Sequence, residues 1–442
     1  MRHRALRPLP NGLLAPGVVM FAASVAALVA LDLTSSGQRW NMLDLQVYRW
    51  AGLIVRRSGD LYGGCFPHDH LRFTYPPMAA LIFAGLSAAS MSALKWLVTA
   101  ASIACLAVTL WLTLGALGYR RSAGRTGAAL AAAGVALWLQ PVQDTLVFGQ
   151  VNLILMLVVL ADLWLPDTAW FKGTGVGLAA GFKLTPLIFV PYLVLTRRFR
   201  AAGVSLAAFT LTVGGSLILL PGQAGRFWFG GLFLDSGRVG NNAYVSNQSL
   251  HGALARLLGS EAAARPYWLG SAVVIGTLGL LLAAWAARRG HEIAGVVTCA
   301  LTGLLISPVS WSHHWVWAAP ALVVAADLAR RVPGWRQWAA WCGVAALAAP
   351  FFTLPEVLVP ASVVQGKGAD GLQLVIGDLY VITALAALCL AALILTSHER
   401  RPSSPSPAAK PPYRRADWRP VESASVRTWL LMWIGPGVTR RA

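Results

Sequence analysis

The chain has 442 residues, with 36 Lys or Arg against 17 Asp or Glu, which gives a formal net charge of +19. Hydrophobic residues make up 57% of it and charged residues only 12%, about half the charged share of an ordinary soluble domain. This composition excludes a soluble enzyme. Basic residues stand at the ends of apolar runs, which indicates contact with anionic lipid and not with nucleic acid. The five cysteines are isolated and form no C-x-x-C pair.

Apolar runs long enough to cross a bilayer, which takes about 20 residues, recur along nearly the whole chain. The first run has a basic start and no clear cleavage site, so we interpret it as an uncleaved span behind a cytoplasmic N-terminus, residues 1–11. The predicted fold is an all-α polytopic membrane protein with about twelve spans in a domain over residues 12–396. The predicted spans are 12–33, 77–91, 94–117, 126–140, 150–165, 173–196, 202–221, 267–287, 292–308, 313–329, 336–353 and 374–396.

Clusters of arginine orient these spans, because basic residues are enriched in cytoplasmic loops. The clusters are Arg2/Arg4/Arg7, Arg120/Arg121/Arg125, Arg197/Arg198/Arg200, Arg288/Arg289, Arg330/Arg331/Arg336 and the segment from Arg400. With these in the cytoplasm, the external side holds 34–76, 141–149, 222–266, 309–313 and 354–373. Residues 397–442 are rich in Pro, Ser and Arg, which predicts a largely disordered cytoplasmic tail.

Segment 173–196 lies between two basic flanks and needs an even number of crossings. A break at Lys183-Leu184-Thr185-Pro186 into two short helices satisfies this requirement, and broken helices are tolerated where they line a cavity. A lysine in mid-membrane costs about 2.5–3.5 kcal/mol by insertion scales unless it is paired or lines a cavity. We therefore expect Lys183 to meet an anionic group such as a lipid phosphate. Snorkelling to the interface is the alternative.

Asp44 follows the first span in the stretch NMLDLQVYRW. The spacing of Leu45, Tyr48, Arg49 and Gly52 predicts an amphipathic helix along the outer membrane surface. A carboxylate held half-desolvated at that height suits a general base, since desolvation raises its proton affinity. A capping or solvated aspartate is the alternative.

The same loop closes with HDHLRFTYPP, in which prolines begin the next span. His68-Asp69-His70 raises the alternative of a metal site, but side chains two apart do not converge on a helix and a third ligand is missing. We expect no metal. We assign Arg72 and Tyr75 to donor binding.

Polar side chains in three further motifs are candidates for contacts with sugar or phosphate. QDTLVFGQVN and VSNQSLHG supply residues whose amides, carboxylate and imidazole suit sugar hydroxyls, although capping of the helix ends is equally open for the first motif. They are Asp144, Gln150, Asn152, Asn247, Gln248 and His251. SPVSWSHHWVW places His313 and His314 among tryptophans, which are typical both of an interfacial belt and of stacking on sugars. One of the two histidines should face the bundle interior.

Six stretches in this order resemble the C-type glycosyltransferases. They are DLQVYRWAGLIVRRSGDLYG, LRFTYPPMAALIF, LVFGQVNLILMLVVL, GFKLTPLIFVPYLVLTRRFR, NQSLHG and ISPVSWSHHWVW. More narrowly, they resemble the actinobacterial polyprenyl-phosphomannose-dependent α-1,2-mannosyltransferases, which extend phosphatidylinositol mannosides and branch lipomannan. The resemblance covers about residues 12–396.

This resemblance implies a C-type bundle with external catalytic loops in the plasma membrane. It implies transfer of mannose, with inversion, from polyprenyl-phosphate-mannose to a glycolipid or lipoglycan acceptor on the extracytoplasmic face. Asp44 matches the family's base, His313-His314 its later histidine motif with His314 near the reaction centre, and Lys183 the lysine placed near the donor phosphate. Many members carry two adjacent acidic residues in the first loop, whereas Leu45 and Gln46 follow Asp44 here. That difference favours a single base with no metal or other cofactor.

Two alternatives remain open. A transporter or flippase of a lipid-linked sugar also needs broken helices and mid-membrane charge. An enzyme of the same class with another polyprenyl-phosphate sugar, such as arabinofuranose or glucose, fits the same motifs. The chain lacks a GxxxxGK[ST] loop, a G-x-S-x-G elbow and an H-E-x-x-H motif, so any substrate must arrive already activated.

Overall fold

Helices supply the regular structure of the computed structural model, which describes residues 6–35, 40–66, 71–353 and 355–399. No β-strand occurs within these ranges, which confirms the predicted all-α class. The predicted disordered tail beyond residue 399 and the candidate metal cluster His68-Asp69-His70 lie outside the described residues.

Twenty α-helices follow one another along the described chain. The first ten are α1 Leu14–Thr34, α2 Leu43–Arg56, α3 Pro77–Leu86, α4 Met91–Ala116, α5 Ala123–Ala136, α6 Gln140–Phe148, α7 Asn152–Trp164, α8 Thr174–Phe182, α9 Phe189–Leu195 and α10 Phe199–Leu219. The remaining ten are α11 Pro221–Trp228, α12 Leu250–Leu258, α13 Glu261–Arg288, α14 Glu292–Ile306, α15 Ala318–Ala329, α16 Arg336–Ala348, α17 Pro355–Leu358, α18 Ala361–Val364, α19 Gly371–Gly377 and α20 Leu379–Glu399. Two short 3₁₀ segments, Thr185–Ile188 and Ser312–Trp317, also contribute to the site described below.

Each predicted span coincides with helical structure, but the predicted number of full crossings is not supported. Five helices are long and apolar enough to cross a membrane, or six if the bent pair α6–α7 counts as one span. The five are Asn11–Thr34, Met91–Ala116, Phe199–Leu219, Glu261–Arg288 and Leu379–Thr396. Breaks divide the other apolar runs into shorter helices. Helix α5, with 14 residues, extends only about 21 Å against a hydrocarbon core of about 30 Å.

The predicted break at Lys183 is present, because α8 ends at Phe182 and the chain resumes as the 3₁₀ segment and α9. Residues 141–149, which the arginine clusters assign to the external side, are largely helical. Those residues form α6, which is bent by 116° against α7. Gly149 makes the joint with φ +69°, a conformation that favours glycine.

The predicted amphipathic helix at Asp44 is also present as α2, which buries one face against α3 and α6. The close approaches are made at glycines. A Cβ on Gly52 would lie 2.4 Å from the carbonyl oxygen of Phe83 in α3. A Cβ on Gly149 would lie 2.7 Å from Cβ of Leu45 in α2. Both approaches fix α2, and therefore Asp44, against its neighbours.

One residue from each of three predicted cytoplasmic arginine clusters takes part in a shared set of contacts: Arg7, Arg120 and Arg331. The backbone N–H of Arg7 donates to the carbonyl of Gly118 at 2.9 Å, and that of Arg120 donates to the carbonyl of Arg7 at 2.9 Å. Buried Asp327 lies 3.5 Å from the Arg7 guanidinium and is also paired with Arg331. A common position for these clusters agrees with their assignment to one side of the membrane.

Candidate active site

A cavity of about 1470 Å³ opens between α2, the loop before α3, the break at Lys183 and the 3₁₀ segment Ser312–Trp317 before α15. This volume exceeds the roughly 300–1,000 Å³ of typical small-ligand pockets, so it has room for two substrates. Nine of the twelve predicted site residues line it: Asp44, Arg72, Tyr75, Asp144, Gln150, Lys183, His251, His313 and His314. Asn152, Asn247 and Gln248 do not.

Asp44 lies in the first turn of α2 and faces this cavity. The side-chain amide of Gln150 donates to its Oδ2 at 2.7 Å. Burial raises the pKa of Asp44 to about 6, while the hydrogen bond from Gln150 and the positive charge of Lys183 act in the opposite direction. A carboxyl group with a pKa in this range has the proton affinity that suits general-base catalysis.

Two tyrosine hydroxyls extend this contact. The Tyr48 hydroxyl donates to the Tyr75 hydroxyl at 2.7 Å, and the Tyr75 hydroxyl donates to Oε1 of Gln150 at 3.0 Å. Sequence reasoning placed Tyr48 in the predicted amphipathic helix but assigned it no part in the site. The signal was available, because Tyr48 comes one helical turn after Asp44 and so shares its face.

The ammonium group of Lys183 projects from the break between α8 and the 3₁₀ segment. It donates to Oδ1 of Asn152 at 2.9 Å and lies 5.4 Å from the centre of the Tyr75 ring. Within the described ranges it has no ion-pair partner. A half-buried cation held by an amide and a ring, without a carboxylate at salt-bridge distance, is suited to an incoming anion.

His313 and His314 stand side by side in the 3₁₀ segment, with ring centres 4.7 Å apart. The carbonyl of His313 accepts hydrogen bonds from Asn152 at 2.8 Å and Thr145 at 3.1 Å. Nε2 of His313 and Nδ1 of His314 are buried without a partner in the described part of the chain. The other two ring nitrogens, Nδ1 of His313 and Nε2 of His314, are the ones left to face the cavity that both residues line.

Four further carboxyl groups line the cavity, those of Asp144, Asp235, Glu261 and Glu356. Asp144 accepts from the Ser312 hydroxyl at 2.5 Å and from the Gln140 amide, so it ties α6 to the histidine segment. Glu356, which sequence reasoning missed, makes no hydrogen bond to any described residue. Burial raises the pKa of Glu356. It stands alone in the stretch TLPEVLVP, where no spacing or periodicity links it to the other site residues.

Asn247 and Gln248 lie outside the cavity and bind backbone. Oδ1 of Asn247 accepts from the N–H of Ser310 at 2.9 Å, and its amide donates to the carbonyl of Asn242 at 2.9 Å. Gln248 donates to the carbonyl of Gly377 at 2.5 Å and accepts from the N–H of Tyr380 at 3.1 Å. Both amides are thereby engaged in holding the loops around the site.

His251 and Arg72 form parts of the cavity wall. Nδ1 of His251 lies 3.3 Å from the carbonyl of Pro308, and its ring centre lies 4.8 Å from that of Trp268. Nε2 of His251 is buried with no hydrogen-bond partner among the described residues. Arg72 is exposed at the rim.

No group of three or more His, Cys, Asp or Glu side chains in the described ranges is placed to hold a metal ion.

Comparison of the sequence with known proteins assigns the chain to a family. The family described as "Glycosyltransferase family 87" matches residues 73–308. The polyprenol-phosphate-mannose-dependent alpha-(1-2)-phosphatidylinositol pentamannoside mannosyltransferase of Mycobacterium tuberculosis (strain CDC 1551 / Oshkosh) is 37% identical over 72% of this chain and 74% of its own length. The polyprenol-phosphate-mannose-dependent alpha-(1-2)-phosphatidylinositol mannoside mannosyltransferase of Mycolicibacterium smegmatis is 33% identical over 80% of this chain and 84% of its own length. No solved structure gives a significant match.

Proposed function

The chain belongs to glycosyltransferase family 87, and on that premise we propose that it is an inverting, metal-independent α-1,2-mannosyltransferase with its active site on the outer face of the membrane. It transfers mannose from polyprenyl-phosphate-mannose to a lipid-linked mannoside. The observation that carries the proposal is a single cavity lined by Asp44, Lys183 and His314. A proton acceptor and a cation there face the same space, as transfer of a sugar from a phosphate requires.

Asp44 is the general base in this proposal. Because Gln150 occupies Oδ2, Oδ1 accepts the proton of the acceptor hydroxyl. The hydroxyl oxygen forms a bond to the anomeric carbon of mannose while the bond from that carbon to the phosphate oxygen breaks. Attack opposite the leaving phosphate inverts a β-linked donor to an α-linked product.

Lys183 neutralises the departing phosphate. Its ammonium group stabilises negative charge that grows as the bond to the anomeric carbon breaks, which lowers the barrier to transfer. We assign His314, through Nε2, and His313 to the donor phosphate and sugar, and Arg72 to the phosphate at the rim. A cation supplied by the chain replaces the role of a divalent metal ion, which is why we propose a metal-independent reaction.

The acceptor occupies the remaining volume. The names of the relatives specify phosphatidylinositol mannosides as acceptors, and we propose an acceptor of that class here. Asp144 and His251 form its wall. Asn152, Asn247 and Gln248 serve the site by holding Lys183 and the surrounding loops.

The outer-face assignment rests on charge. The arginine clusters around Arg7, Arg120 and Arg331 contribute no residue to the cavity. Since such clusters are enriched on the cytoplasmic side, we place the cavity on the opposite, extracytoplasmic face of the plasma membrane.

A transfer assay with purified protein tests the proposal. The donors are synthetic polyprenyl phosphates carrying labelled mannose, arabinofuranose or glucose, and the acceptor is a dimannosyl lipid. We expect product from the mannose donor, cleaved by an α-1,2-mannosidase and formed equally after EDTA treatment. Product from another donor alone would contradict the sugar assignment. Activity lost to EDTA and restored by a divalent ion would contradict metal independence.

A liposome arm tests the transporter alternative. Reconstituted protein that moves the labelled donor between leaflets, and forms no product with any donor, would contradict the enzymatic proposal. Transfer without such movement is the expected result.

A further inference from the structure

Gln150 connects the proposed base to the two tyrosine hydroxyls. We propose that Gln150 is a positioning residue, whose amide is oriented by Tyr48 and Tyr75 so that Oδ1 of Asp44 faces the acceptor hydroxyl. This inference rests on the proposed function, because it takes Asp44 as the base. It replaces the expectation that Gln150 binds a sugar directly.

The donors and acceptors along this chain of hydrogen bonds fit only one orientation of the amide. The Tyr75 hydroxyl accepts a hydrogen bond from the Tyr48 hydroxyl and donates its single proton to Oε1 of Gln150. The NH₂ group of Gln150 therefore points toward Asp44, whose carboxylate only accepts. Reversal of the amide would place its oxygen against a carboxylate oxygen and leave both without a proton between them.

The surrounding structure prevents Gln150 from moving away. Its side chain is buried, with 3% of the residue exposed, and its backbone N–H donates to the carbonyl of Thr145 at 2.9 Å. The preceding Gly149 packs directly against α2. Gln150 is thus fixed relative to the helix that carries Asp44.

The tyrosine rings are fixed equally well. Tyr48 stacks on Phe83 with ring centres 4.8 Å apart. The carbonyl of Tyr75 accepts from the Tyr62 hydroxyl at 2.8 Å, and its ring contacts Phe182 edge-on at 5.9 Å. Each link in the chain is therefore held by packing that does not involve substrate, as preorganisation of a catalytic group requires.

One carboxylate oxygen of Asp44 remains for the substrate. The bond from Gln150 is the only hydrogen bond to its side chain from the described residues. Lys183 is the ionisable group that acts on Asp44, and the charge of Asp44 acts in turn on Tyr48 and Tyr75. Of the two helices packed against α2, α3 carries no ionisable side chain and α6 carries Asp144.

Removal of the Gln150 amide therefore has two effects. Asp44 loses the contact that selects its rotamer, so the chemical step slows. The charged carboxylate also loses a hydrogen bond that favours it, so its pKa rises and the acidic limb of the pH profile moves to higher pH. A residue that merely binds a sugar hydroxyl would instead raise KM for the acceptor.

The experiment compares Gln150→Leu, Tyr75→Phe and the control Gln337→Leu, whose amide lies outside the cavity and bonds the carbonyl of Arg330. For Gln150→Leu we expect kcat to fall by about 10- to 100-fold, the range of a hydrogen bond to a charged group. The acidic limb should shift upward, with binding of labelled donor unchanged. Gln337→Leu should behave as wild type.

Tyr75→Phe keeps the ring beside Lys183 and removes one oxygen, so it tests the amide orientation with minimal risk to folding. We expect a smaller fall in kcat and an upward shift of the same limb. A higher KM for the acceptor at unchanged kcat in Gln150→Leu, or wild-type pH profiles in both variants, would overturn the inference. If Asp44→Asn also stayed active, the proposed base itself would be at fault; if Asp44→Asn were inactive, only the positioning role would fail.

Discussion

Asp44 gains its chemical character from burial in the cavity wall, which raises its pKa to about 6. A base acts only when it is deprotonated, so activity should fall as the pH drops through this pKa. We expect kcat/KM to decline by about tenfold per pH unit below roughly pH 6. A profile of mannose transfer against pH checks this, with folding at each pH monitored by binding of labelled donor. Full activity at pH 4.5 would contradict it.

Lys183 has the complementary role at the donor phosphate. Lys183→Met keeps an unbranched side chain and removes the charge, so we expect kcat/KM for the donor to fall by about 10- to 100-fold, as for loss of a charged hydrogen bond. The matched control is Lys367→Met at an exposed lysine outside the cavity. Kinetics at varied donor concentration provide the measurement. Equal kcat/KM in the two variants would remove Lys183 from the reaction.

Residue type and hydrophobic context predicted Asp44 and Lys183, because a charge in an apolar setting is costly and needs a reason. The same reasoning could not separate a ligand from a scaffold. Asn247 and Gln248 have the chemistry of sugar ligands, yet backbone groups of distant segments occupy their amides. Glu356 reaches the cavity through tertiary folding alone, which leaves no local pattern in the sequence.

Among the breaks between helices, the sequence predicted the one marked by a proline but not the one made at a glycine. Pro186 predicted the break beside Lys183, since proline disfavours a continuous helix. Gly149 lies between two predicted spans, and nothing in the sequence indicated that the chain there makes two helices joined at a bend of 116°. The count of about twelve full spans is not supported for a related reason: apolar runs record burial, and the shorter helices can be buried by protein as well as by lipid.

Gly149 should be intolerant of substitution because two costs coincide there. Its φ is +69°, and an added Cβ would lie 2.7 Å from Leu45 and 2.8 Å from Met42. Gly118 has φ +92°, and a Cβ added there would meet no neighbouring atom within 4 Å, so its substitution isolates the backbone cost. We expect Gly118→Ala to lower the free energy of unfolding by about 1–2 kcal/mol. Gly149→Ala should lower it by about 1–3 kcal/mol more, because the clash is added to the backbone cost.

Thermal unfolding in detergent compares these two variants. Transfer activity should also fall in Gly149→Ala, because the clash displaces α2 and with it Asp44, whereas Gly118→Ala should keep its activity. Equal melting temperatures and equal activities would show that the approach of α6 to α2 does not position the base.

For the whole molecule, the central question is which side of the membrane the cavity faces. Cys65 is exposed in the loop between α2 and α3, and Arg120 is exposed in one of the arginine clusters. We expect a membrane-impermeant maleimide to label intact cells at Cys65 when the other four cysteines are replaced. A cysteine-free chain carrying Arg120→Cys should react only after permeabilisation. The reverse pattern would place the reaction in the cytoplasm.

The measurement that tests the account most directly is single-turnover mannose transfer by Asp44→Asn. Asp60→Asn serves as its control, since Asp60 is an exposed carboxylate of the same loop, paired with Arg226 and outside the cavity. The account predicts that Asp44→Asn binds labelled donor as wild type does but transfers mannose at least about 1000-fold more slowly, in line with the loss of a general base. Asp60→Asn should transfer at the wild-type rate. Wild-type transfer by folded Asp44→Asn would contradict the assignment of the base and the mechanism built on it.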